Sequence, residues 1–178
     1  MAAVVGNNSI INSNERLIFY FTSSKVPFVN SFQSVFKPGL FAGQTIVVTG
    51  GGSGIGRCTA HELASLGADL ALVGRKMEKL ETVKAEIEST CSVKISLHSC
   101  DIREEDRVKE TIADILVAHG KIDHLINNAG GQFPSPLNMI SGKGFETVVR
   151  NNLTGGFLVA REVFNQHMML QLGKKDMS

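Results

Sequence analysis

The sequence has no surplus of either charge: 18 Lys and Arg stand against 17 Asp and Glu, for a formal net charge of +1. Nucleic acid and anionic membrane surfaces need clustered Lys and Arg, so neither is expected as a partner. Cysteine is scarce and odd in number. Cys58, Cys91 and Cys100 show no C-x-x-C spacing, which excludes a disulfide framework or a cysteine zinc site and fits a reducing compartment. The five histidines are dispersed, and no two stand at H-x-x-x-H spacing, so no metal is implied. Apolar runs are short. Leu17 to Phe21 ends in Thr-Ser-Ser-Lys, far below the roughly 20 residues of a membrane helix.

What is present is 43% hydrophobic residues in a 178-residue chain, enough to bury one core, with a small molecule as the expected partner. The first forty residues differ from the rest, being rich in Asn and Ser without a sustained period. Ala2 to Gly6 precedes any basic residue and the first charges are Glu15 and Arg16, which argues against a secretory leader. One arginine beside one glutamate also falls short of an Arg-rich, acid-free mitochondrial presequence. The expectation is a disordered or non-native extension over 1–38 and a folded domain over 39–178, opening near the Pro38-Gly39 turn signal.

From Gly43 the hydrophobic period switches repeatedly between strand and helix. Thr45-Ile46-Val47-Val48 is a continuous run suited to a parallel strand buried on both faces. Ile55, Thr59, Leu63 and Leu66 mark one face of a helix that Gly67 stops, before a second strand at Leu70 to Val73. Met77, Leu80, Val83 and Ile87 mark a second helix, and Val93, Ile95 and Leu97 alternate as a third strand. Val108, Ile112 and Ile115 mark a third helix, a short strand centres on Leu125-Ile126, and one helix is expected from about Lys143 to Leu170. The fold class is α/β, a parallel sheet with helices on both faces.

The first strand runs into Thr49-Gly50-Gly51-Gly52-Ser53-Gly54-Ile55-Gly56, and a helix opens at its end. A glycine loop in that position lets backbone approach a pyrophosphate and aims free N–H groups at it. Gly50-x-x-x-Gly54-x-Gly56 fits G-x-G-x-x-G in no register but fits T-G-x-x-x-G-x-G. With that pattern the chain resembles the short-chain dehydrogenase/reductase family. Asp101, in Cys100-Asp101-Ile102-Arg103, sits where the family's Asp meets the adenine amine. Asn127-Asn128-Ala129-Gly130 is similar to the family's N-N-A-G beside the cofactor, and Asn152 stands at its active-site Asn. The resemblance therefore implies a Rossmann-like doubly wound sheet. It assigns cofactor contacts to Thr49, Gly50, Ser53, Gly54, Ile55, Gly56, Asp101, Ile102, Asn128, Ala129 and Gly130, and a catalytic role to Asn152. After the second strand the chain reads Val73-Gly74-Arg75-Lys76, with no carboxylate for a ribose 2′-hydroxyl and two cations for a 2′-phosphate. Arg75 and Lys76 therefore point to NADP(H). Asp69 is at the wrong end of its strand to replace the acid.

In the resembled family a Tyr acts as general acid or base, a Lys four residues later lowers its pKa, and a Ser upstream orients the carbonyl. The one tyrosine here is Tyr20, and no Tyr-x-x-x-Lys follows Asn152. The resemblance covers about Gly39 to Leu172. The expectation is a fragment truncated after about four βα units, with an unpaired sheet edge and no hydride transfer by the usual relay. Within the family, Asn127-Asn128-Ala129-Gly130-Gly131-Gln132-Phe133-Pro134-Ser135-Pro136 and Ile140-Ser141-Gly142-Lys143-Gly144 look most like the peroxisomal trans-2-enoyl-CoA reductase branch. This implies reduction of an acyl-CoA thioester's 2,3 double bond and a homo-oligomeric full-length form. 2,4-Dienoyl-CoA reductases and citronellol-type alcohol dehydrogenases of the family remain as alternatives. So does a catalytically dead nucleotide-binding or interaction module docking through Met168, Met169, Leu170 and Leu172. The resemblance suggests a peroxisome or the cytoplasm, but Asp176-Met177-Ser178 is not a peroxisomal address.

Overall fold

Four short strands and the helices between them account for most of what the computed structural model describes, residues 35–132 and 134–169. The N-terminal extension up to residue 34 with Tyr20, Phe133, and residues 170–178 with Leu170 and Leu172 lie outside the described residues. The order is β1 Thr45–Thr49, α1 Gly54–Ser65, β2 Asp69–Gly74, α2 Met77–Glu88, β3 Ile95–Ser99, α3 Glu105–His119, β4 His124–Ile126, α4 Gly142–Val149 and α5 Gly155–Val163. The strands form one parallel sheet in the order β3-β2-β1-β4, with Val47 opposite both Ala71 and Leu125.

Alternate side chains of a strand point to opposite faces, and here both faces are apolar. Ile46, Val48, Leu70 and Leu72 pack with Leu63 of α1 and Leu80, Val83 and Ile87 of α2. Val47, Ala71 and Val73 pack on the other face with Val108, Ile112 and Ile115 of α3 and Leu158, Val159 and Val163 of α5. Each fully buried Leu or Ile of this kind contributes roughly 1.5–3 kcal/mol, so the middle of the sheet is where stability concentrates.

Three sequence expectations need correction. Ile55 is not on the buried face of α1 but 78% exposed; the inward residues are Gly56, Ala60, His61, Leu63 and Ala64. Small residues let α1 sit close to the sheet, a face that a large-apolar count overlooks. Val93 packs against the core but precedes β3, which starts at Ile95. The helix expected from Lys143 to Leu170 is interrupted: π-helical turns at Arg150–Thr154 and Phe164–Met168 separate its α-helical parts. At the first turn, Nδ2 of Asn152 donates to the carbonyl of Val148 at 2.9 Å. That carbonyl would otherwise serve the backbone N–H of Asn152 in an α-helix, and the intruding side chain widens the turn. Among the described residues no helix is long and apolar enough to cross a membrane.

Candidate functional site

The C-terminal ends of all four strands open on one edge of the sheet. Chain order reverses between β1 and β4, and ligands of open α/β sheets bind at such a point. A cavity of about 360 Å³ lies there, lined by the glycine loop, Gly74, Arg75 and Lys76 after β2, Asp101 and Ile102 after β3, and Asn128 to Gly130 after β4.

Thr49 closes β1 and is fully buried. Its Oγ1 accepts from the backbone N–H of Asn128 at 3.0 Å and of Ala129 at 2.9 Å, and donates to the carbonyl of Ile126 at 3.3 Å. The Asn128 side chain in turn donates Nδ2 to the Thr49 carbonyl at 2.9 Å. Thr49 thus joins the loops after β1 and β4 from beneath the cavity. Asn127 fastens α5 to the same loop, donating Nδ2 to the carbonyl of Gly156 at 2.6 Å.

The glycine loop turns on the N–H groups of Gly50 and Gly51, which both donate to the carbonyl of Val73. Gly56 sits in the first turn of α1, where a Cβ would stand 2.2 Å from the carbonyl oxygen of Gly50, a backbone atom with no room to yield. Ser53 is the N-cap of α1, but its hydroxyl makes no capping bond. The first turn therefore keeps its N–H groups and the positive end of the helix dipole directed at the cavity, beside exposed Ile55. This cradle has the shape and polarity a diphosphate requires.

After β2 the lining is basic, Arg75 and Lys76 followed by Lys79 one turn into α2, and Arg75 and Lys76 are exposed and form no ion pair among the described residues. After β3, Arg103 Nε donates to Asp101 Oδ1 at 2.9 Å and Nη2 to Oδ2 at 2.5 Å, and the Arg103 backbone N–H adds a bond to Oδ1 at 3.1 Å. The Arg103 guanidinium first, with its backbone N–H, lowers the carboxyl of Asp101 to a pKa of about 2 against the pull of partial burial. Oδ1 thus holds two bonds and Oδ2 one, which leaves a lone pair of Oδ2 for an amine. Burial pushes the Cys100 thiol beside it upward, so it stays protonated at neutral pH.

Asn152 lies off the main cavity. Its Oδ1 accepts from the backbone N–H of Gly131 at 3.0 Å and its Nδ2 donates to the Gly131 carbonyl at 2.7 Å, pinning the loop after β4 to the π-turn. A Cβ on Gly130 would stand 2.2 Å from that Oδ1. The sequence reading thus identified residues that the fold gathers around one cleft, with Thr49 beneath it and Asn152 one layer behind. It missed Arg103, Lys79 and Asn151. The Asp-x-Arg spacing at 101–103 was a usable signal for the first, and the i+3 step from Lys76 for the second; Asn151 had none. Among the described residues no three His, Cys, Asp or Glu side chains group as metal ligands.

Residues 44–175 match the family model described as short chain dehydrogenase. A glucose 1-dehydrogenase of Gluconobacter oxydans is 42% identical over 123 residues, 69% of this chain and 46% of its own length. A peroxisomal 2,4-dienoyl-CoA reductase of Danio rerio is 29% identical over 138 residues, 78% of this chain and 46% of its own length. The solved structure of a citronellol catabolism dehydrogenase, AtuB, of Pseudomonas aeruginosa PAO1 is 66% identical, with a TM-score of 0.72 over 77% of this chain and 56% of that one. The chain spans about half the length of the curated relatives it matches.

Proposed function

Since the chain belongs to the short-chain dehydrogenase family, whose members are oxidoreductases working with a nicotinamide cofactor, we propose that the cleft at the sheet's C-terminal edge holds NADP(H) and that the protein serves the reduction or oxidation of a small organic substrate. The acid-free, basic end of β2 carries the choice of NADP(H) over NAD(H). A ribose 2′-hydroxyl would find no carboxylate there, while a 2′-phosphate meets Arg75 and Lys76. Bound NADP(H) supplies or accepts the hydride. The uncapped first turn of α1, from Gly54 through Ile55 to Gly56, binds the diphosphate by its N–H groups. The open lone pair of Asp101 accepts the adenine amine beside Ile102. The backbone from Asn128 to Gly130, held in place by Thr49, flanks the nicotinamide side, and Asn152 holds Gly131 so that this loop keeps its shape.

The proton step of the family's relay would need a tyrosine that residues 152–178 do not contain. The 178-residue chain is therefore expected to bind nucleotide without turnover by that relay. For the substrate, the 66% identity to a citronellol catabolism dehydrogenase favours a terpenoid alcohol and its carbonyl partner over the enoyl thioester that the loop motif suggested. A second reading, reduction of an unsaturated acyl-CoA, is supported by the 29% identity to the dienoyl-CoA reductase.

Titration of the chain with NADPH and NADH, followed by nicotinamide fluorescence, tests the cofactor. NADPH should bind at least about tenfold more tightly, and Arg75→Ala should remove most of that difference. Equal affinities in the unmodified chain refute NADP(H). For a gene product that carries this segment together with a Tyr-x-x-x-Lys, citronellol oxidation with NADP+ should exceed crotonyl-CoA reduction with NADPH. The opposite ranking would favour the thioester.

A further inference from the structure

A second cavity, of about 210 Å³, adjoins the first: Arg75, Gly130 and Asn151 line both. Its remaining walls come from Arg103, from Gly131 and Gln132, and from Thr147 and Val148 on α4. Among the described residues the charged side chains that line it are the two arginines, and none of those residues is a carboxylate. Arg103 holds Asp101 through its Nε and one N–H of Nη2, the side edge of its guanidinium. Five N–H groups less two leaves three, both on Nη1 and one on Nη2, so the end edge keeps a parallel pair of donors. Asp101 therefore fixes the plane of the guanidinium and neutralises its own charge without using the edge that grips an oxyanion in a fork. Arg75 forms no ion pair among the described residues and retains all its donors.

We infer that Arg75 and Arg103 together form a two-guanidinium site for a phosphomonoester carried on an adenosine ribose, with Arg103 the second residue that determines cofactor specificity. This deepens the NADP(H) reading and rests on it. Arg75 stands on the border of the two cavities, at the end of β2, and presents its charge from one side; Arg103, carried by the loop after β3, presents the other. Two sources offer the same chemistry, the 2′-phosphate of the cofactor and the 3′-phosphate of a coenzyme A thioester. The shared wall with the nucleotide cleft favours the first. Removing Arg103 would also leave the Asp101 carboxylate uncompensated beside the phosphate, so its loss acts twice, by a missing donor and by repulsion.

Calorimetric titration of the 178-residue chain and its Arg103→Gln, Arg103→Lys and Arg75→Gln variants with three probes tests this: adenosine 2′,5′-bisphosphate, adenosine 3′,5′-bisphosphate and adenosine 5′-monophosphate. Arg103→Gln should weaken the 2′,5′-bisphosphate about tenfold or more and leave the monophosphate within about twofold. Arg103→Lys, which keeps the charge and loses the fork, should recover only part. A selective loss of the 3′,5′-bisphosphate instead keeps the phosphomonoester site and assigns it to a coenzyme A group. Equal weakening of bisphosphate and monophosphate overturns the inference, because Arg103 would then act only through Asp101 on the adenine. No weakening at all overturns it too. If the unmodified chain does not prefer the 2′,5′-bisphosphate to the monophosphate, the NADP(H) reading itself fails. If it does, and Arg75→Gln removes the preference while Arg103→Gln keeps it, only the present inference fails.

Discussion

Thr49 concentrates more of the site's geometry than any residue that touches the cavity, since one hydroxyl serves two backbone donors and a carbonyl. Valine matches threonine in shape but offers no acceptor, so Thr49→Val leaves the half-buried N–H of Ala129 without its partner, while the N–H of Asn128 keeps its bond to the carbonyl of Ile126 at 3.1 Å. At roughly 1–3 kcal/mol for an unsatisfied group, the expected loss is about 1–3 kcal/mol in urea unfolding, whereas Thr49→Ser should lose less than about 1. Gly130 is the second sensitive position. An alanine there forces Asn152 Oδ1 aside and breaks its bond to Gly131, a loss of about 1–3 kcal/mol. Because the clash and the bond share one side chain, the loss from Gly130→Ala should shrink when Asn152→Ala is already present, and a double-mutant cycle measures the difference. Additive losses would show that the two residues do not act on each other. The sequence identified Thr49 by its place before the glycines; that its side chain faces the neighbouring strand rather than the cleft depends on β1 pairing with β4, residues nearly eighty positions apart.

At the scale of elements, the join of β3 to α3 is built on histidine. Ser96 Oγ lies 2.7 Å from His98 Nε2 and 2.8 Å from His119 Nε2, and a hydroxyl with one proton can donate to only one of them. Burial first lowers both pKa values; His119 holds His98 down further, with Asp114 opposing, and Lys94 holds His119 down, with Asp69 opposing. A histidine whose folded pKa lies below its unfolded 6.5 binds its proton better in the unfolded chain. Its contribution is therefore complete above pH 6.5 and falls as pH drops below it. Asp101 and Glu86 have lowered pKa values of the acidic kind, from the hydrogen bonds of Arg103 and Arg57 respectively, and lose their contributions only below about pH 4.5. Urea midpoints measured between pH 7.5 and 5 should thus fall in the unmodified chain and stay nearly level in a His98→Gln, His119→Gln double variant. A level profile in both would remove the histidines from the account. The strands and α2 and α3 were legible because large apolar residues mark their inward faces. The inward face of α1 was legible at Leu63 but not at Gly56, Ala60 and Ala64, whose small side chains give no apolar signal, and neither was the π-turn at Asn152, which a side-chain amide creates in otherwise good helical sequence.

For the molecule as a whole, nucleotide binding and stability are one equilibrium. NADPH at a hundred times its dissociation constant should add about 2.7 kcal/mol to unfolding free energy, seen as a rise in melting temperature that NADH at equal concentration does not match. Arg75→Ala should remove most of the difference between the two nucleotides while leaving the unliganded melting temperature within a degree or two, Arg75 being exposed and in no ion pair among the described residues. The parallel sheet and its cleft could be read from sequence, because strand, glycine loop and helix follow one another along the chain. The second cavity could not: its walls come from residues 75, 103, 130–132, 147, 148 and 151, which only the sheet order β3-β2-β1-β4 and the return of α4 bring together. The bonds of Thr49 also set a clock. Since a buried hydroxyl of β1 holds the amide of Ala129, its proton reaches water when that bond across the strands opens, so it should exchange with deuterium more slowly than the amides of a surface loop.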